Sequence, residues 1–190
     1  MAAVINDMSD PYLQLPEFLV IDASLLLELG PIEPHPKHHS IALDFLRRVR
    51  EAAQSGKVKP LIPYLVLEEC YFKISKYCLK KQGGLTDMPW DRYYKANPEF
   101  IGATIYPMLM RYYQMLKTFP MVILDPIDLS IKTDVLPIAD TMTDIIRQFN
   151  ILPKDATILS EAKRIGVFYI ATLDRDYLRA DGFTILFPQN

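Results

Sequence analysis

Residues 17–30, EFLVIDASLLLELG, decide the fold. Phe18, Leu19, Val20 and Ile21 form a short unbroken apolar run. Such a run is the mark of a strand covered on both faces, since a half-exposed strand alternates apolar with polar residues. Asp22 ends the run, residues 23–29 have helical composition, and Gly30 stops them. A covered strand that passes through a carboxylate into a helix is a building unit of layered α/β proteins.

The same alternation continues outward from this stretch. Three prolines make residues 30–40 a loop, and Ser40 is suited to cap a helix over residues 41–55. A strand is expected at 58–62. Pro63 then opens a helix to about residue 81, with Leu67, Cys70, Tyr71, Ile74, Tyr77 and Cys78 on its apolar side. Gly83 and Gly84 are expected to break it. Residues 85–97 read as irregular, and 99–118 as a long helix that Pro107 kinks. On that helix Ile105, Met108, Tyr112 and Met115 form a stripe suited to core packing or a dimer contact. The remainder predicts strands at 121–124, 167–173 and 183–187, helices over 136–149 and from Pro153 to Gly166, and a helical turn at 176–180. Strands alternating with helices from end to end predict an α/β fold with a mainly parallel sheet.

The chain has 190 residues, 50% of them hydrophobic and 23% charged, the composition of one globular domain with room for an insertion. Its apolar runs fall far short of the ~20 residues that cross a bilayer. Its first residues, MAAVINDMSDPY, lack the basic and apolar regions of a secretory signal. Cys70 and Cys78 stand eight residues apart on one expected helix, about 12 Å along its axis, too far for a disulfide. Free thiols favour the cytoplasm as the expected location. The net charge is only −2, but residues 47–81 hold nine Lys/Arg against three Asp/Glu, a local excess of basic residues.

The chemistry lies in the acids. In parallel α/β sheets ligands bind beyond the carboxyl ends of the strands, where strand order reverses. Asp22 closes the first strand of the opening stretch, and Asp174 and Asp176 follow the strand at 167–173. Glu69 and Asp155 lie in the first turns of helices that can reach the same rim. Asp22, Glu69, Asp155 and Asp174 are 47, 86 and 19 residues apart, so only the fold can assemble them. Carboxylates gathered with no lysine between them stay ionised only around a positive charge. An all-oxygen donor set favours Mg²⁺ or Mn²⁺ over zinc or copper. Each acid also has a structural reading: Asp22 as a helix cap, Glu69 as the partner of Lys73, Asp155 as a first-turn acid, and Asp174 and Asp176 as turn residues.

Four local motifs add to this. VIDASLLL around Asp22 resembles the opening motif of PIN domains. IPYLVLEEC resembles the second, its spacing from Pro63 selecting Glu69 over Glu68. LPKDATILSEAKRIG resembles the third, around Asp155, and ATLDRDYL the fourth, matching Thr172, Asp174, Asp176 and Tyr177. The resemblance implies a three-layer α/β/α sandwich around about five parallel strands. It also implies a metal-dependent endoribonuclease that uses water as nucleophile and leaves a 5′-phosphate. On that pattern Asp22, Glu69, Asp155 and Asp174 would be catalytic and hold the metal, Asp176 would assist, and Ser24 and Thr172 would support. A toxin of the VapC type implies a small antitoxin partner; a stand-alone RNA-processing enzyme does not. The departures from the family are an addition before residue 17, a helical insertion at about 85–119, and Ser24 where Asn is common.

Lys73, Lys76 and Lys80 follow Glu69 at steps of four, three and four, which puts them on its helix face as a candidate track for an RNA backbone. Trp90, Tyr93 and Tyr94 suit either base stacking or packing of the insertion, with packing preferred. His35, His38 and His39 match no helix-borne pair of metal ligands. Two rival readings are a different Mg²⁺-dependent phosphohydrolase and a decayed, non-catalytic RNA- or protein-binding module. A phosphohydrolase that forms an aspartyl intermediate needs a second Asp at position 24, which is Ser. A decayed module would lack principal acids, and all of them are present.

Overall fold

The structure, a computed structural model, describes residues 3–85, 88–124 and 137–189. Six strands form one sheet: β1 (Val4–Asp7), β2 (Phe18–Ile21), β3 (Lys59–Pro63), β4 (Val122–Leu124), β5 (Tyr169–Ala171) and β6 (Thr184–Phe187). Their order is β1-β6-β5-β2-β3-β4, and every pairing is parallel. Seven α-helices among the described residues flank it: α1 (Ala23–Leu26), α2 (His39–Gln54), α3 (Tyr64–Leu85), α4 (Trp90–Ala96), α5 (Tyr106–Lys117), α6 (Ile138–Phe149) and α7 (Pro153–Arg164). The fold is the expected three-layer α/β/α sandwich, with six strands rather than about five.

The extra strand is β1, within the stretch read as an N-terminal addition. Its short sequence VIND has no apolar run to announce it, because an edge strand needs little burial. The parallel ladder with β6 and the side chain of Arg48 hold it in place. That guanidinium donates to the Met8 and Asp10 carbonyls while lying over the Phe45 ring.

β2 lies between β3 and β5. The chain therefore builds outward from β2 in one direction through β3 and β4. It then returns to the other side through β5 and β6. The crevice where this order reverses opens between the carboxyl ends of β2 and β5. Leu19, Val20 and Ile21 are completely buried, as a strand covered on both faces requires. The Asp22 N–H donates to the Ala171 carbonyl at 3.0 Å, so pairing with β5 continues up to the acid itself.

Several boundaries differ from those expected. α2 begins at His39, before Ser40, because a turn leads into it: the His39 N–H already reaches the His35 carbonyl. Pro63 closes β3 rather than opening α3. α3 runs through Gly83 and Gly84 to Leu85. Gly83 serves a close approach there. The Met88 N–H donates to its carbonyl at 2.9 Å, and a Cβ at position 83 would stand 2.3 Å from the Met88 carbonyl oxygen. The expected long helix is present, unbroken from residue 99 to 117. Within it the residues just before Pro107, Ile101–Ile105, form a π-helical turn, an adjustment of the hydrogen bonding that accommodates a proline without an N–H in the helix interior. Ile105 and Tyr112 of the expected stripe are buried, and Met108 and Met115 are half-buried. α6 begins at Ile138, and residue 136, where it was expected to start, lies outside the described residues.

Cys70 and Cys78 are both on α3, buried and unbridged. No helix among the described residues is long and apolar enough to cross a membrane.

Candidate acidic active site

Asp22 caps α1 at the carboxyl end of β2. Its Oδ2 accepts from the Ser24 N–H at 3.1 Å, the Ser24 hydroxyl at 2.5 Å and the Thr172 hydroxyl at 2.9 Å. Proton bookkeeping fixes this arrangement. The Leu173 N–H donates to Ser24 Oγ and the Asp174 N–H to Thr172 Oγ1, each at 2.9 Å. Each hydroxyl has one proton, and both are left to point at Asp22. The 3.1 Å approach of Ser24 Oγ to Thr172 Oγ1 is then the contact of two donors converging on one carboxylate oxygen.

Oδ1 of Asp22 has one partner among the described residues, the Tyr177 hydroxyl at a long 3.3 Å. The buried carboxylate thus has one saturated oxygen and one nearly open oxygen. Burial pushes its pKa up, the bonds from Ser24 and Thr172 oppose the rise, and the charge on Glu69 adds to it. Burial, with Asp22, Asp155 and Glu69 around it, holds the Tyr177 phenol well above its ordinary range. Tyr177 is therefore a donor to Asp22 at any working pH.

Thr172→Val removes the acceptor of the Asp174 N–H and one donor to Asp22. Leaving such partners unmatched costs about 1–3 kcal/mol, so the urea midpoint is expected to fall accordingly. An unchanged midpoint would mean that this wiring does not hold the site together.

Asp155 lies in the first turn of α7. Burial is the main cause that lifts its pKa to about 6, followed by the charges of Asp174, Asp22, Glu69 and Asp176 in that order. The charges of all four other acids thus reach this one side chain. Asp174 follows β5 and caps a 3₁₀ turn (Arg175–Arg179), its Oδ1 accepting the Asp176 N–H at 2.9 Å. Asp176 pairs with Arg179 at 2.7 Å.

Glu69 is buried in α3, whereas Glu68 beside it is exposed. The carboxylate of Glu69 takes Lys73 at 2.7 Å and Lys154 at 3.6 Å. The expected absence of lysine among the acids is therefore corrected. Lys154 comes from the residue before Asp155, and nothing in either segment announces a pairing across 85 positions. Burial opposes the charge on Lys73, but Glu69 and Asp22 outweigh it and raise its pKa.

The donor set is chemically suited to a hard divalent cation. Among the described residues, however, no three His, Cys, Asp or Glu side chains stand in a ligating arrangement. The hydrogen-bond pattern gives the reason. Glu69 is turned onto two lysines, and Asp174 is turned onto its own helical turn. The charges of neighbouring acids add to the raised pKa values of Asp22 and Asp155, yet the side chains do not converge on a point.

The other lysines of the stripe lie along α3. Lys76 is 5.5 Å from the centre of the Trp90 ring and 5.8 Å from that of Phe72, and Lys80 is exposed. Trp90 meets Phe72 edge to face, and Tyr93 meets Phe100 likewise. Both Trp90 and Tyr93 are half-buried against the core, whereas Tyr94 is exposed. Tyr112 of α5 donates to the Leu26 carbonyl at 3.1 Å and so secures the short helix that Asp22 caps. Cys70, under α1, is pushed up to about 12 by burial, which makes it a packing residue rather than a nucleophile.

No protein-family model matches the chain, and no curated protein matches it. Among solved structures, FitAcB from Neisseria gonorrhoeae is similar at 16% identity and a TM-score of 0.41, over 90% of this chain and 97% of that one. A likeness of that grade says nothing about what this chain does.

Proposed function

We propose that this chain is a metal-dependent endoribonuclease of the PIN type. The observation that supports it is Asp155: a carboxyl with its pKa raised to about 6 by burial and by four other acids, at the point where strand order reverses. In this reading Asp22, Glu69, Asp155 and Asp174 hold Mg²⁺ or Mn²⁺, and Asp176 assists. When bound, such an ion supplies the positive charge that acidifies a water and stabilises the leaving oxygen in phosphodiester hydrolysis.

The protein's own groups prepare the site. Ser24 and Thr172 lock one oxygen of Asp22 and leave the other nearly free. Asp155 holds a proton at mildly acidic pH and releases it near neutrality, when the carboxylate is needed. Lys73 and Lys154 restrain Glu69, and their charge also attracts a phosphodiester. Residues 1–190 are read as one domain with an N-terminal addition at about 1–16 and a helical insertion at 85–119. RNA is the substrate. A small antitoxin protein or a second copy of this chain is a partner consistent with the reading.

The test is incubation of a mixed RNA pool with Mn²⁺ or Mg²⁺ and mapping of the product ends. Cleavage that EDTA abolishes, with 5′-phosphates on the products, is expected. Intact RNA, or cleavage indifferent to EDTA, would count against it.

The grip of two lysines on Glu69 favours a second reading, a non-catalytic binding module whose acidic pocket is neutralised from within. Calorimetric titration with Mn²⁺ separates the two, since a neutralised pocket takes up no ion. For the basic stripe, Lys76→Glu with Lys80→Glu is expected to weaken RNA binding and flatten its dependence on salt by about one unit of log–log slope per lost contact. Identical binding curves across ionic strengths would remove that role.

A further inference from the structure

The histidine loop has no part in the acidic site, yet it is built with care. Glu28, with its side chain buried, accepts the His35 N–H at 3.0 Å and contacts His39 Nδ1 at 2.6 Å. His35 Nδ1 accepts the N–H groups of Lys37 and His38. The proline-bearing segment is thereby fastened at several points. Glu28, His39 and His35 Nδ1 are spent in holding the loop, which leaves His38 as the group the loop presents.

The His38 ring stacks on His35 with 4.7 Å between centres and stands edge-on to Phe187 at 6.3 Å. Its buried Nδ1 has no hydrogen-bond partner among the described residues. This side chain lines a cavity of about 350 Å³ together with Ile5, Arg175, Leu178, Phe187 and Gln189. That volume is within the range of small-molecule sites. The cavity is the next feature along the carboxyl edge from the acids: Arg175 directly follows Asp174, and Phe187 ends β6. Arg175 is exposed and forms no ion pair among the described residues.

We propose that this pocket receives the nucleobase of a nucleotide next to the cleaved phosphodiester, a proposal that rests on the nuclease reading. Ile5, Leu178 and Phe187 give the apolar wall that a flat heterocycle needs. His38, Arg175 and Gln189 give hydrogen-bonding groups for its edge, and the guanidinium offers a plane on which a base stacks. A bare phosphate fits less well, because it asks for several converging donors and finds one cation. Burial, followed by the charges of His35 and Arg175, lowers the pKa of His38. Its ring is then neutral near pH 7 and carries one donor and one acceptor.

The experiment measures binding of a short single-stranded RNA to the intact protein in EDTA, with one abasic nucleotide placed at each position in turn. Arg175→Ala is the main variant, since an exposed, unpaired side chain can be lost without unfolding the chain. His38→Ala is the second. In the wild type one position is expected to lose about 10-fold in affinity when its base is removed. In both variants that position-specific loss disappears. An equal loss at every position, the same loss in wild type and variants, or no RNA binding would overturn the pocket. Cleavage of the intact oligonucleotide with Mn²⁺ is scored separately. Cleavage without a position-specific loss removes the pocket and spares the nuclease, whereas the loss without cleavage does the reverse.

Discussion

Asp155→Asn is expected to raise the melting temperature of the metal-free protein at pH 7.5, by an amount that shrinks steadily towards pH 4. The sign follows from linkage. The folded state holds the Asp155 proton up to about pH 6, whereas the unfolded chain releases it near 3.8. Between those values the native state binds more protons than the unfolded state, so stability falls as pH rises. The contribution is fully present below the unfolded value and lost on passing the folded one. Asn carries no charge at any pH and escapes the penalty. Asp22, also raised by burial, acts in the same direction. Differential scanning calorimetry of the wild type and Asp155→Asn in EDTA from pH 4 to 8 reads the difference directly. Parallel curves would mean that burial and the neighbouring acids do not raise the Asp155 pKa.

Mn²⁺ is expected to reverse this slope. An ion that binds the folded carboxylates and not the unfolded chain stabilises by about 2.7 kcal/mol at one hundred times its dissociation constant. For a chain of this size that is a rise of roughly 5–10 °C. The gain should decline below pH 6, where binding must first displace the Asp155 proton. Part of the binding energy also goes into freeing Glu69 from Lys73 and Lys154. Lys154→Ala is therefore expected to strengthen Mn²⁺ binding, while Glu69→Gln weakens it. A melting temperature indifferent to Mn²⁺ at pH 7.5 would favour the neutralised pocket.

The layered fold was legible because its signals are local. Phe18–Ile21 reads as a doubly covered strand, and it is one. The positions of the acids on their elements were legible, Asp22 at the end of β2 and Asp155 in the first turn of α7, because such places follow from local sequence. β1 was not legible, since four residues on an edge need neither alternation nor an apolar run. Nor was the π-helical turn before Pro107, where hydrogen bonding adapts around a residue whose disruption was read as a kink. At the site, the resemblance implied that Ser24 and Thr172 support the acids but did not show that their protons converge on one oxygen of Asp22. That depends on the backbone N–H groups of Leu173 and Asp174. For a similar reason Lys154 was missed, and Tyr177 was matched to the fourth motif without a role. Each lies next to a recognised acid, yet its partner is on another element. The aromatic residue following Asp176 was the one available signal for Tyr177.

The central claim is that Asp22 performs chemistry as well as capping α1. Asn at this position can accept the Ser24 and Thr172 hydroxyls with its carbonyl and donate its amide to Tyr177, so the fold should survive. Loss of a group that merely orients a metal ligand costs 10–100-fold, so removing the carboxylate itself should cost about 100-fold or more. The measurement is Mn²⁺-dependent cleavage of a mixed RNA pool by wild type and Asp22→Asn, with melting curves of both. The account predicts a folded variant with at least about a 100-fold loss of cleavage; a folded variant that cuts as fast as the wild type would contradict it.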